Sequence, residues 1–291
     1  MQEKLEFKKK RDFSQIINDT FVFLRQNVKP LLKIYFIFCG LFVLAGMLSA
    51  LLQQYKTVNL VNGGNTVSAF GFGKLYGMEY FLMILFALLS YASMTVAILS
   101  YITLYVQKDK QIPTIDEVWA YFKYYFFRVF GSSVLLGLML GVGFVLCLIP
   151  GFYLFPFIAL IMPIMVIENG TLGYSFGRSF KLIKNNFWLT FGTLIIVWII
   201  VYAAMSLIVL PTTILSMIGL FTKGNPQMNF TFTAIGTVLQ YLCQAFTVIP
   251  IITISLCYFS LVEDKERAGL MDRITQFGNL EKPIDHRPEE Y

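Results

Sequence analysis

Residues 128–168 read RVFGSSVLLGLMLGVGFVLCLIPGFYLFPFIALIMPIMVIE, and between Arg128 and Glu168 lie 39 residues without one charged side chain. A bilayer core about 30 Å thick takes roughly 20 apolar residues per helical crossing, so this length suits two crossings. Pro150-Gly151, near the middle, supplies the turn signal between them. Apolar runs of the same kind recur at residues 34–52, 80–106 and 187–210, and within the uncharged span 224–262. The expectation is an all-α polytopic membrane protein with six transmembrane helices. It divides into a basic amino-terminal stretch (1–30), a membrane domain (31–262) and a cytoplasmic tail (263–291).

Composition agrees with lipid as the solvent. Of the residues, 57% are hydrophobic and 14% charged, whereas a soluble domain carries about 25% charged residues. The formal charge of +6 does not point to nucleic acid, because 20 of the 23 Lys and Arg fall on the face that holds both termini. Only Lys56, Lys74 and Lys223 lie opposite. Positive charge marks the cytoplasmic side, so both termini are expected there. Most acidic residues share that face and temper its attraction for anionic headgroups. Cys39, Cys147, Cys243 and Cys257 sit inside apolar runs with no CxxC or Cys/His spacing. Neither a disulfide nor a bound metal or cofactor is expected. The first apolar run lacks a small-residue cleavage signal, so that crossing itself is expected to direct insertion.

Three amphipathic segments precede the odd-numbered crossings. Phe13, Ile16, Ile17, Thr20, Phe21, Leu24 and Val28 share one helical face, as do Ile115, Val118, Trp119, Phe122, Phe126 and Val129. Thr114 and Glu117 form a capping box at the start of the second segment. The third carries Leu172, Phe176, Phe180, Ile183 and Phe187. Each is expected to lie in the cytoplasmic-side interface. The first and third align position by position, with Phe21, Leu24, Arg25, Gln26, Asn27 and Val28 against Phe180, Ile183, Lys184, Asn185, Asn186 and Phe187. The second matches mainly in apolar period. An internal repeat of one orientation would differ from the inverted repeats of many secondary transporters. The opposite face offers one sizeable loop, 53–79, centred on Asn62-Gly63-Gly64-Asn65. Residues 212–221 read either as a short outer interfacial helix or as the tail of the fifth crossing. Leu270, Met271 and Ile274 suggest a short helix in the tail.

Ile149-Pro150-Gly151, followed by Pro156, Pro163 and Glu168, then Ser179-Phe180-x-Leu182 with Asn185, resembles the six-helix membrane domain found beside bacterial glycerophosphoryl diester phosphodiesterases. It also resembles related standalone membrane proteins of bacteria. The likeness covers about residues 12–266; Phe180 stands where that family often has Trp. The resemblance implies a membrane module in the bacterial inner membrane. It does not carry over the phosphodiesterase activity, which needs a His-Arg-Gly motif on a separate barrel; here the single histidine, His286, is followed by Arg287 and Pro288.

Each candidate site has two readings. Glu168, at the cytoplasmic end of the fourth crossing, is either a proton or cation site or a structural partner of Arg178 or Lys181; Asn169-Gly170 directly after it signals the membrane exit. Gln240 and Gln244 lie one turn apart in the sixth crossing, with Thr237 and Thr247 on much the same face and Pro250 following. That stripe either lines a polar pathway or bonds neighbouring helices. Ser90, Ser93, Ala97 and Ser100, and the pair Gly137 and Gly141, form small faces that favour close helix packing. Pro156 and Pro163 should kink the fourth crossing. No motif for a catalytic residue stands out. The expectation is a non-enzymatic scaffold or accessory factor in envelope or lipid homeostasis, with a transporter of a small or lipid-like solute as the alternative. Its expected partners are membrane lipids and a second copy or other membrane proteins.

Overall fold

A computed structural model describes residues 4–62, 77–146, 148–221 and 226–266. The helices are α1 (Phe13–Asn62), α2 (Met78–Gln107), α3 (Ile115–Leu146), α4 (Leu148–Ile167), α5 (Leu172–Ile183), α6 (Phe187–Phe221), α7 (Pro226–Cys243) and α8 (Val248–Glu266). A 3-10 turn, Gln244–Thr247, joins the last two. Counting α7, the turn and α8 as one broken crossing, six helices are long and apolar enough to cross a membrane, and no strand occurs among the described residues. Hydrocarbon offers no partner to a free backbone N–H or C=O, and a helix satisfies both within one segment. The protein is an all-α multi-pass membrane protein.

The helix breaks follow two asparagines. In α1 the helix is interrupted at Asn27, with φ −122° and ψ 18°. The Asn27 amide nitrogen donates to the Phe23 carbonyl at 3.1 Å, competing with the backbone for that acceptor. Pro30, three residues on, lacks an N–H and adds to the kink. In the third unit α5 stops at Ile183, and the Asn186 carbonyl accepts the first bond of α6 from Thr190 N at 3.0 Å. Asn27 and Asn186 are the residues paired by the sequence alignment, and the chain breaks at both. No asparagine occurs in α3, and there the expected boundary between interfacial helix and crossing is absent: the helix runs unbroken from Ile115 to Leu146.

Two helices form the centre. Every residue of 92–105 in α2 and of 248–261 in α8 is buried, as befits helices apolar on all sides with others wrapped round them. This closed half lies at the end of the bundle that carries the basic segments. Toward the other end Leu41, Leu44, Leu48 and Leu52 of α1 are exposed, as residues facing lipid are. The small face of α2 packs as expected: Ser90, Ser93, Ala97 and Ser100 are buried, and Ser93 donates to the Phe38 carbonyl of α1 at 2.7 Å. Gly137 and Gly141 do not pack as expected, since a Cβ at either would meet nothing within 4 Å. Close approach falls elsewhere. A Cβ at Gly46 would stand 3.2 Å from the Tyr241 ring, and one at Gly151 would stand 2.5 Å from the Phe144 ring.

The amphipathic segments pack on the bundle. In the first, Ile16, Thr20 and Phe23 are buried while Val28 is 39% exposed. The second buries Val118, Phe122, Tyr125 and Val129, leaving Trp119 at 44% exposure with Lys123 Nζ 5.2 Å from its ring centroid. The third turns Ser175, Ser179, Leu182 and Ile183 inward, with its phenylalanines alongside. Pro150-Gly151 lies in the first turn of α4, where a proline sacrifices no intrahelical bond. Pro156 and Pro163 leave α4 helical throughout its 20 residues. Residues 212–221 are the tail of α6, which continues through Pro211. Residues 53–62, expected in the loop, belong to α1. Gly63 to Asn65 and the tail residues Leu270, Met271, Ile274 and His286 lie outside the described residues.

Candidate functional site

The sixth crossing carries Gln240 on α7 and Gln244 at the start of the 3-10 turn, and both line one cavity of about 580 Å³. Its other polar walls are Gln53 and Gln54 from α1, with Thr237 and Tyr241 from α7; α2 and α6 contribute apolar residues such as Met83 and Met205. The Gln54 amide nitrogen donates to Thr237 Oγ1 at 2.6 Å. Thr237 in turn donates to the Thr233 carbonyl at 3.0 Å. The carbonyl oxygen of Gln54 is buried with no hydrogen-bond partner among the described residues. Gly236 permits this wall to form, since a Cβ there would lie 2.8 Å from Thr212 Oγ1 on α6. Gln53 and Gln54, expected in a loop, belong to α1. The signal available was two adjacent glutamines at the edge of the apolar run 34–52, which a helix extending beyond that run carries into the bundle.

Thr247 is not part of this wall. The 3-10 turn changes the rotation between α7 and α8, so the α-helical spacing from Gln240 no longer holds. Thr247 Oγ1 donates to the Gln244 carbonyl at 2.6 Å and lies 3.4 Å from Met94 Sδ. It lines a separate, mainly apolar cavity of about 200 Å³ with Tyr91, Leu136, Gly137, Met162 and Pro250. The open side of Gly137 is therefore a cavity wall and not a helix seam.

Glu168 lies apart from both cavities and is fully engaged. Its carboxylate accepts from Tyr174 at 2.8 Å, from Tyr258 at 2.8 Å and from Arg178 Nε at 3.2 Å. Arg178 reaches on to Glu266 at 2.5 Å. Of Arg178 and Lys181, Arg178 makes the pair. Asn169, at φ 51°, reverses the chain, and Arg128 braces that reversal by donating to Asn169 Oδ1 at 3.1 Å and to the Gly170 carbonyl at 2.5 Å. The hydrogen bond to the Glu168 carboxylate holds the Tyr174 phenol above its ordinary range. The carboxylates of Glu266 first and then Glu168 outweigh burial and push the Arg178 guanidinium higher still. This arrangement fastens α4, α5 and α8 together.

The basic end is sealed by the segment before α1. Phe7, 3% exposed, meets the rings of Phe23, Phe259 and Tyr105 edge-on, with centroids 5.0, 5.4 and 6.0 Å away. Arg11 is buried with it. Its guanidinium pairs with Asp19 at 2.8 Å and donates to the carbonyls of Phe7, Lys9 and Glu6, while its backbone N–H donates to Ser260 at 2.9 Å. A buried guanidinium is tolerated because its donors are satisfied. No family model, curated protein or solved structure matches this chain, so the resemblance to the phosphodiesterase-associated membrane domain rests on the quoted residues alone.

Proposed function

We propose that this protein is a non-enzymatic scaffold or accessory factor in envelope or lipid homeostasis, set in a bacterial inner membrane with both termini in the cytoplasm. The observation that carries this reading is the buried centre toward the basic end of the bundle, where the cavity beside Leu99 and Ile254, of about 200 Å³, is mainly apolar. A solute path through the centre would have to pass 92–105 of α2 and 248–261 of α8, which are buried throughout, and then Phe7. The polar cavity stops in the other half, and its lining is uncharged. The alternative, transport of a small or lipid-like solute, is favoured by one feature, the unpartnered Gln54 carbonyl at that cavity.

Replacing both Gln240 and Gln244 with Leu separates these readings. A scaffold loses modest interhelical contacts and should still complement a deletion strain at normal abundance. A transporter loses the polar partners of its dehydrated solute and should fail while remaining inserted. We expect complementation, together with solute permeability of protein-containing liposomes equal to that of empty ones. Failure of the double variant at normal abundance would overturn the scaffold reading.

A further inference from the structure

Between α4, α5 and the start of α6 runs a groove of about 440 Å³, lined by Tyr153, Phe157, Phe180, Lys181, Lys184 and Phe187. We propose that it holds one anionic membrane phospholipid, with Lys181 and Lys184 on the phosphate and the four aromatic rings against the glycerol and upper acyl chain.

The aromatic wall is continuous. Phe157 and Phe180 stack with centroids 4.1 Å apart and planes 13° apart, and Tyr153 stacks on Phe187 at 5.3 Å and 27°. Phe157 and Phe187 close the row at 5.9 Å. The two lysines are exposed, and neither makes an ion pair among the described residues. Nearby acids are already engaged: Glu168 and Glu266 by Arg178, and Asp264 by Lys10 and Asn186. The pair therefore retains its charge for an outside anion. Lys181 in the last turn of α5 and Lys184 at its C-cap also suit the helix dipole, but that role requires no groove and no aromatic wall.

Position selects a lipid over free phosphate. Tyr153 and Phe157 belong to the membrane-spanning α4, and Trp188, next to Phe187, is 79% exposed, as a tryptophan at the headgroup level is. A phospholipid matches both ends of the groove, charge at the lysines and hydrocarbon along the rings. A free phosphate would use the first and leave the second wet. This inference is independent of the choice between scaffold and transporter.

The test uses the full chain, purified in detergent and stripped of lipid, with bound lipid counted by native mass spectrometry. Phosphatidylglycerol, phosphatidylcholine of the same chains and inorganic phosphate are the probes. We expect one saturable phosphatidylglycerol per chain, bound in preference to phosphatidylcholine and not displaced by equimolar phosphate. K181Q/K184Q should weaken phosphatidylglycerol binding roughly tenfold or more, with lipid-free melting unchanged, while K181R/K184R retains it. Phe187→Leu should weaken both lipids and keep the preference for the anionic one. The control K29Q/K33Q, which removes two exposed lysines elsewhere at the same end, should bind as the wild type does. Equal loss in the control, equal binding of phosphatidylcholine by the wild type, or displacement by phosphate would each overturn the proposal.

Discussion

Gln54 and Thr237, 183 residues apart, meet across 2.6 Å and tie the far end of α1 to α7 beside the polar cavity. A side-chain hydrogen bond between membrane helices contributes about 0.6 kcal/mol on average. Leaving one buried partner unmade costs more, on the order of 1–3 kcal/mol. Thr237→Val should therefore lower thermal stability in detergent more than the average bond predicts, because the Gln54 amide is stranded. Adding Gln54→Leu should restore part of the loss. Strictly additive losses in the double variant would show that the two side chains do not act as a pair.

The glycines give a contrast that sequence spacing would have ranked the other way. Gly151→Ala drives a methyl group into the Phe144 ring, and overpacking of this kind costs roughly 1–3 kcal/mol. Gly137→Ala and Gly141→Ala add methyl groups in open space, where helix propensity alone favours alanine. Melting of the three variants should fall for the first and hold or rise for the others. A fall at Gly137 equal to that at Gly151 would mean that the face of α3 is covered by a helix in the membrane.

At Glu168 the expectation is structural. Glu168→Ala leaves Arg178 with Glu266 alone and strands the buried Tyr258 hydroxyl, and should reduce the yield of folded protein. Glu168→Gln keeps an acceptor for those donors and should fold at near-normal yield. If Gln instead abolishes complementation at normal abundance, the carboxylate has a proton-linked role that its bonding geometry does not require.

Orientation follows from charge. Cysteines introduced at Gln2, Lys108, Lys181 and Tyr291 should resist an impermeant reagent in intact cells, and one at Asn62 should react. The reverse pattern would place the basic half of the bundle outside.

The solvent and the number of crossings were legible in the sequence, because hydrocarbon requires long uninterrupted apolar helices and each helix records that requirement locally. One break position was legible too, since the Asn27 side chain acts on its own backbone, whereas the Asn186 side chain reaches Asp264, 78 residues on. What required the tertiary structure was the assignment of neighbours. Nothing local marked α2 and α8 as the buried centre, brought Gln53 and Gln54 to Gln240, or turned Thr247 away through a 3-10 turn. In lipid all apolar faces are nearly equivalent, so partner choice rests on close packing and scattered hydrogen bonds between distant segments, which a one-dimensional pattern does not encode.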